Sequence, residues 1–194
     1  VLYCTKFNNQ APNGIRAIVM MNQPTVGERA FQECHMLRLV YAPNTQTVGA
    51  EAFAQCYYLS RFYSNSLQII EDNAFYQCCA LTKIDLSKVT EIGLDSFYYC
   101  QSLTFANLIS LQQPLPASCF EECSSLRQVV AKNTKGWDQS AFAYCQRVSI
   151  TDDSVVMRFQ EVYIDGFRER KKMTKLVQSI VGGVPFDIPV EVNY

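Results

Sequence analysis

The chain has a single histidine, His35, and it directly follows Cys34. A cysteine nucleophile beside a histidine base is the simplest catalytic pair such residues could form. Consecutive residues on a helical turn point about 100° apart, however, and Cys34 belongs to a register of six cysteines that reads as core. No catalytic residue is assigned, and the chain is expected not to be an enzyme. Metal chemistry fares no better. No Cys-x-x-Cys occurs, Cys78-Cys79 and the Cys119/Cys123 pair are isolated, and structural zinc wants four convergent ligands. Gly182-Gly183 is the only glycine pair, so phosphate loops and dinucleotide fingerprints are missing too, and no cofactor or small-molecule substrate is expected.

The remaining candidates are charged and aromatic. Arg168, Arg170, Lys171, Lys172 and Lys175 form one basic cluster, read first as the solvated face of a helix and second as a docking patch for an acidic partner or a phosphate backbone. Without aromatic interleaving the cluster gives no platform for single-stranded nucleic acid. The formal net charge of −1 supplies no global field towards nucleic acid or an anionic membrane. No run of 18 apolar residues suggests a membrane span.

What positions these residues is a repeat. Phe31, Phe53, Phe75, Phe97, Phe120 and Phe142 are each followed three residues later by Cys34, Cys56, Cys78, Cys100, Cys123 and Cys145. The cysteine spacings are 22, 22, 22, 23 and 22, so the chain is a tandem array. Val26, Val48, Ile70, Ile92, Leu115 and Trp137 stand five residues before the phenylalanines, and Leu37, Leu59, Leu81, Leu103, Leu126 and Val148 three after the cysteines. In each unit the Phe-x-x-Cys half is spaced for a short helical turn with one buried side. The other half, as in Leu81 to Leu86, ends in apolar-polar alternation and reads as a short strand. The predicted architecture is an α/β repeat, a right-handed solenoid with parallel strands. Residues 1–14 are expected to form an N-terminal cap and 15–150 the array of one half-repeat and six full units. Residues 151–194 are expected to form a C-terminal cap with an amphipathic helix from Phe167 to Val181 and a terminal edge strand from Phe186 to Val192. In the fourth unit, Pro114 and Pro116 and the longer spacing predict a local bulge.

Stacking puts the six cysteines in one column about 4.8 Å apart, with two equivalent neighbours for each sulfur and no designated partner. Small, buried, reduced thiols are the simpler reading. Together with the lack of an Asn-x-Ser/Thr sequon, this favours a reducing, cytoplasmic setting, with a cell surface as the alternative. The phenylalanines are expected to stack into a ladder that supplies most of the stability.

Written as apolar-x4-Phe-x-x-Cys-x-x-Leu-x-x-Ile-x-Leu, with the fullest match at Ile92 to Leu103, the repeat resembles the BspA-like leucine-rich repeats. The resemblance covers about residues 15–150. It implies a curved leucine-rich-repeat solenoid that binds other macromolecules, some family members being surface adhesins. On the expected concave face, strand residues between inward-facing aliphatics must point outward. One column reads Val19, Tyr41, Tyr63, Asp85, Asn107, Val130, and its neighbour Ala17, Leu39, Arg61, Lys83, Phe105, Gln128. Arg38, Leu39, Tyr41, Arg61, Tyr63, Lys83, Asp85 and Phe105 are thus the candidate residues for gripping a protein partner, since tyrosine and arginine are enriched at interface hot spots. The function read from the sequence is a non-enzymatic protein-binding scaffold. The alternatives are a structural component of a larger intracellular assembly and an adhesin.

Overall fold

Every 22 or so residues the chain closes one turn and lays like residues against like. The structure, a computed structural model, describes residues 2–3, 14–146 and 148–151. Among these all regular structure is parallel β. Three-residue strands form one column: β2 (Ala17–Val19), β4 (Leu39–Tyr41), β6 (Arg61–Tyr63), β9 (Phe105–Asn107), β10 (Gln128–Val130) and β11 (Ser149–Thr151). The short β1 (Leu2–Tyr3) precedes it and pairs with β2. Two-residue strands form a second column: β3 (Thr25–Val26), β5 (Thr47–Val48), β7 (Ile69–Ile70) and β8 (Glu91–Ile92). The sheets run β1-β2-β4-β6, β9-β10-β11 and β3-β5-β7-β8. Register follows the repeat, with Val40 opposite Phe62 and Val48 opposite Ile70.

The Phe-x-x-Cys half is not the helical turn its spacing suggests, and no α-helix occurs among the described residues. The reason lies in the backbone. Arg29, Glu51, Asn73, Asp95 and Ser118, two before the phenylalanines, take positive φ, as do Glu33, Gln55, Gln77, Tyr99, Glu122 and Tyr144, two after them. A left-handed residue at every fourth position stops a right-handed helix from propagating. Alternate N–H groups instead bond within the turn and between turns. Cys56 N–H donates to Phe53 O at 3.2 Å, while Phe53 N–H donates to Ala74 O of the next turn at 2.9 Å. Each turn thereby hydrogen-bonds its neighbour, so the array satisfies its backbone by stacking.

The phenylalanine ladder is as expected. Successive centroids from Phe31 to Phe142 lie 5.3, 5.5, 5.3, 5.2 and 5.7 Å apart with rings within 13° of parallel. The first five rings are buried and Phe142 is half-buried; Trp137, expected in the apolar column, is 50% exposed at the last turn. Ala30, Ala52, Ala74, Ser96, Cys119 and Ala141, one residue before each phenylalanine, form a fully or nearly buried column of small side chains.

Two interruptions have identifiable causes. The expected strand at 81–86 shrinks to a single bridge between Arg61 and Lys83. There the Asp85 carboxylate accepts from the Ser87 N–H at 3.0 Å and from its hydroxyl at 2.6 Å, a local turn that competes with the ladder. In the second column, Gly93 N–H donates to Ile70 O and Glu91 N–H to Gln68 O. The equivalent residues one turn later are Pro116 and Pro114, which have no N–H to give, and the sheet stops at β8. The bulge predicted for this unit is thus a broken ladder.

Of the described glycines, Gly93 lies tightest against the preceding turn: an added Cβ would sit 2.5 Å from both Asp72 N and Asp72 Oδ1. Gly93→Ala is expected to cost about 1–3 kcal/mol by overpacking. The urea unfolding midpoint would report it, and an unchanged midpoint would mean the second column yields freely. The predicted cap helix at 167–181 and terminal strand at 186–192 lie outside the described residues, as does most of the predicted N-terminal cap.

Candidate interaction surface

Strand positions that alternate with the core aliphatics supply the first candidate surface. In-register stacking puts Tyr63 directly on Tyr41, with ring centroids 4.9 Å apart and planes 5° from parallel. Tyr63 OH donates to Asn65 Oδ1 at 2.8 Å, which fixes the upper ring. Arg61, Lys83 and Asp85 are exposed, and Tyr63 and Phe105 half-buried.

Two of the predicted contact residues are not on the surface. Leu39 is 8% and Tyr41 2% exposed. Parallel strands in register bring like positions to within one strand spacing, so Val19 and Tyr63 flank Tyr41 on either side. Burial, with the nearby Tyr63 hydroxyl second, pushes the Tyr41 phenol up to about 12. Tyr41 therefore acts as a floor beneath Tyr63, not as a contact residue. The basic cluster from Arg168 to Lys175 lies outside the described residues.

The thiol column has a structural task that the sequence alone did not reveal. Cys56, Cys78, Cys100, Cys123 and Cys145 each donate to the carbonyl of the phenylalanine 25 or 26 residues earlier: Phe31, Phe53, Phe75, Phe97 and Phe120, at 3.0 to 3.3 Å. The eight described cysteines are all free thiols. Burial pushes them up, to about 11 for Cys34 and Cys145 and about 12 for Cys119, and a neutral thiol is a poor nucleophile. His35 points elsewhere: its ring stacks on Tyr57 at 5.0 Å and Nδ1 donates to Gln55 O at 3.0 Å. Cys34 and His35 therefore do not form a dyad. Among the described residues no cluster of three or more potential metal ligands occurs, and no helix is long and apolar enough to cross a membrane.

The distribution of charge escaped the sequence reading because the net value is near zero. Of the described acidic residues only Asp85 lies in the strand half of a turn. Glu28, Glu33, Glu51, Glu71, Asp72, Glu91, Asp95, Glu121, Glu122 and Asp138 all fall between the two-residue strand position and the end of Phe-x-x-Cys. Of the described basic residues, Arg16, Arg38, Arg61, Lys83, Lys88, Arg127, Lys132 and Lys135 occupy the strand half, with Arg29 the exception. The turn half also carries a tyrosine stack, Tyr76 on Tyr98 at 5.1 Å. Writing the sequence in register makes both visible.

This geometry has a known counterpart. Residues 24–149 match the model of the BspA type leucine rich repeat region in six copies. The chain belongs to this family. Solved structures agree on the fold. A leucine rich repeat protein from T. pallidum is 23% identical, with a TM-score of 0.54 over 77% of this chain and 83% of that one. A leucine-rich repeat protein from Bacteroides ovatus ATCC 8483 is 18% identical, with a TM-score of 0.50 over 72% of this chain and 47% of that one. No curated protein matches the sequence. In this BspA-type array, the Phe-x-x-Cys signature pairs a ring that stacks along the core with a thiol that ties each turn to the one before.

Proposed function

We propose that this BspA-type array is a non-enzymatic protein-interaction module whose strand face docks a partner bearing an acidic patch. In this reading the solenoid is right-handed and curved, with the three-residue strands on its concave side. The observation that carries the reading is the Tyr41–Tyr63 stack beside Arg61, set among the basic strand-half residues Arg16, Arg38, Arg61, Lys83 and Lys88. Tyrosine and arginine anchored on a rigid scaffold are the side chains that dominate interface energetics. The rest of the half contributes positive charge, which steers and orients an acidic surface. The non-enzymatic reading is supported by the un-ionised thiols and the diverging Cys34 and His35. Repeat arrays present extended surfaces of this kind because each unit adds one more copy of each column.

The test uses the exposed charges and leaves the buried floor intact. Arg61→Glu with Lys83→Glu should unfold within about 0.5 kcal/mol of wild type, as exposed substitutions usually do. Affinity capture with wild type and the double variant should recover a partner that the variant loses, a weakening of about tenfold or more. Recovery of the same proteins by both would overturn the assignment of the strand face.

A further inference from the structure

The turn half carries a second surface with the opposite chemistry. In each turn, the residue after the phenylalanine and the next one form neighbouring columns. The first reads Tyr76, Tyr98 and Glu121 over three successive turns, and the second Tyr99, Glu122 and Tyr144. Tyr98 lies 5.1 Å from Tyr76 and 6.1 Å from Tyr99, so three rings make a continuous platform. None of the three is fully buried, and Tyr144 at the far end is 71% exposed. Glutamates continue both columns beside these rings. Ser118 Oγ donates a short hydrogen bond to Glu121, and this fixes the carboxylate beside the platform.

Among the described residues this face has negative charge without a matching cation. Arg29 pairs with Glu28 and Glu51, but these lie two turns and more away in register. Among the described residues no basic side chain pairs with Asp95, Glu121 or Glu122, and Arg127 gives its guanidinium to the carbonyls of Ser124 and Leu126. The titrations agree with this crowding. Burial and the like charges of Glu121 and Asp72 raise the Asp95 carboxyl, and burial, Glu121, Tyr76, Glu122 and Asp95 raise the Tyr98 phenol.

We propose that this tyrosine-glutamate face docks an arginine-rich segment of a partner protein, distinct from the partner of the strand face. Guanidinium groups lie flat on tyrosine rings and pair bidentately with carboxylates. Tyr98 beside Glu121, and Tyr99 beside Glu122, offer both interactions within one turn spacing. Lysine satisfies the charge but lacks the planar fork. Arginine is therefore the preferred cation here.

The experiment titrates the full chain with fluorescein-labelled nona-arginine and nona-lysine peptides and follows fluorescence anisotropy at two salt concentrations. The arginine peptide should bind more tightly than the lysine peptide, and more weakly as salt rises. Tyr98→Ala with Tyr99→Ala, and separately Glu121→Gln with Glu122→Gln, should each weaken arginine binding by about tenfold. Tyr98→Phe with Tyr99→Phe should retain it, which separates loss of the rings from any unfolding of the alanine variant. Arg61→Glu with Lys83→Glu should leave it undiminished, so failure here is distinguishable from failure of the strand-face proposal. Equal affinity for the two peptides, or arginine binding that survives loss of the tyrosine rings, would reduce the effect to unspecific charge attraction and overturn the proposal. Concentration-dependent self-association that disappears in both turn-face variants, with no peptide binding, would assign the face to a second copy of the chain and overturn it equally.

Discussion

Replacing Phe75 by alanine is expected to lower the unfolding free energy by about 3–5 kcal/mol. The ring is fully buried, stacks on Phe53 at 5.5 Å and Phe97 at 5.3 Å, and meets Phe62 edge-on at 5.2 Å. Its backbone is equally committed. Phe75 N–H donates to Ser96 O, and its carbonyl receives both Cys78 N–H and the Cys100 thiol. Alanine keeps those bonds and removes the packing, leaving a cavity that the adjacent rings cannot fill without leaving their own stack. In an array whose turns touch only their neighbours, the loss falls on the coupling between the two halves of the chain. Urea unfolding followed by circular dichroism should show a lowered midpoint. The half-buried Phe142, with one stacked neighbour among the described residues, should tolerate alanine at about half that cost or less. A cost below about 1 kcal/mol for Phe75→Ala would contradict the ladder as the main source of stability.

The repeat, its register and its buried columns were legible in the sequence because in-register stacking turns a spacing of 22 directly into a contact. Phe53 meets Phe75 and Val40 meets Phe62 for that reason alone. Local conformation was less legible. Apolar residues spaced four, one and three apart fit a helical turn, and nothing in the types of Glu51, Gln55 or Gln77 announces positive φ, since glycine and asparagine are the usual occupants. The helix was excluded by bonds to the next turn, a tertiary effect that a single unit does not contain. Exposure was misjudged for a related reason. Alternation along one strand predicts which way Tyr41 points, but not that Val19 and Tyr63 cover it from both sides. The charge segregation could be read from the residues, and was hidden only by summing over the whole chain.

Alkaline pH should unfold this protein through its thiols. Cys56, Cys78, Cys100, Cys119 and Cys123 are fully buried, and burial raises each above the ordinary thiol value, with the neighbouring sulfurs of the column adding repulsion for Cys56, Cys78 and Cys123. In the unfolded chain each titrates near pH 8.5. A group whose native pKa is raised stabilises the fold fully below its unfolded pKa, and that contribution is lost as pH climbs towards the native value. Between about pH 8.5 and the native range, each such thiol therefore removes about 1.4 kcal/mol per pH unit, and the five together about 7 kcal/mol. Domains of this size hold about 5–15 kcal/mol in all, so this loss should destabilise the fold strongly in the alkaline range. Urea midpoints measured under reductant from pH 7 to 10 should be flat at first and then fall steeply. Cys100→Ser, although less stable at pH 7, should show a slope shallower by one thiol's share, because a hydroxyl does not titrate there. A midpoint that stays level to pH 10 would mean that these thiols ionise as readily in the native protein as in the unfolded chain, and the hydrogen bonds from the Cys56, Cys78, Cys100 and Cys123 sulfurs to the preceding turn would then have to be abandoned. The steep fall follows from the same arrangement that makes these cysteines inert: a thiol that donates to a buried carbonyl ties the turns together only while it keeps its proton.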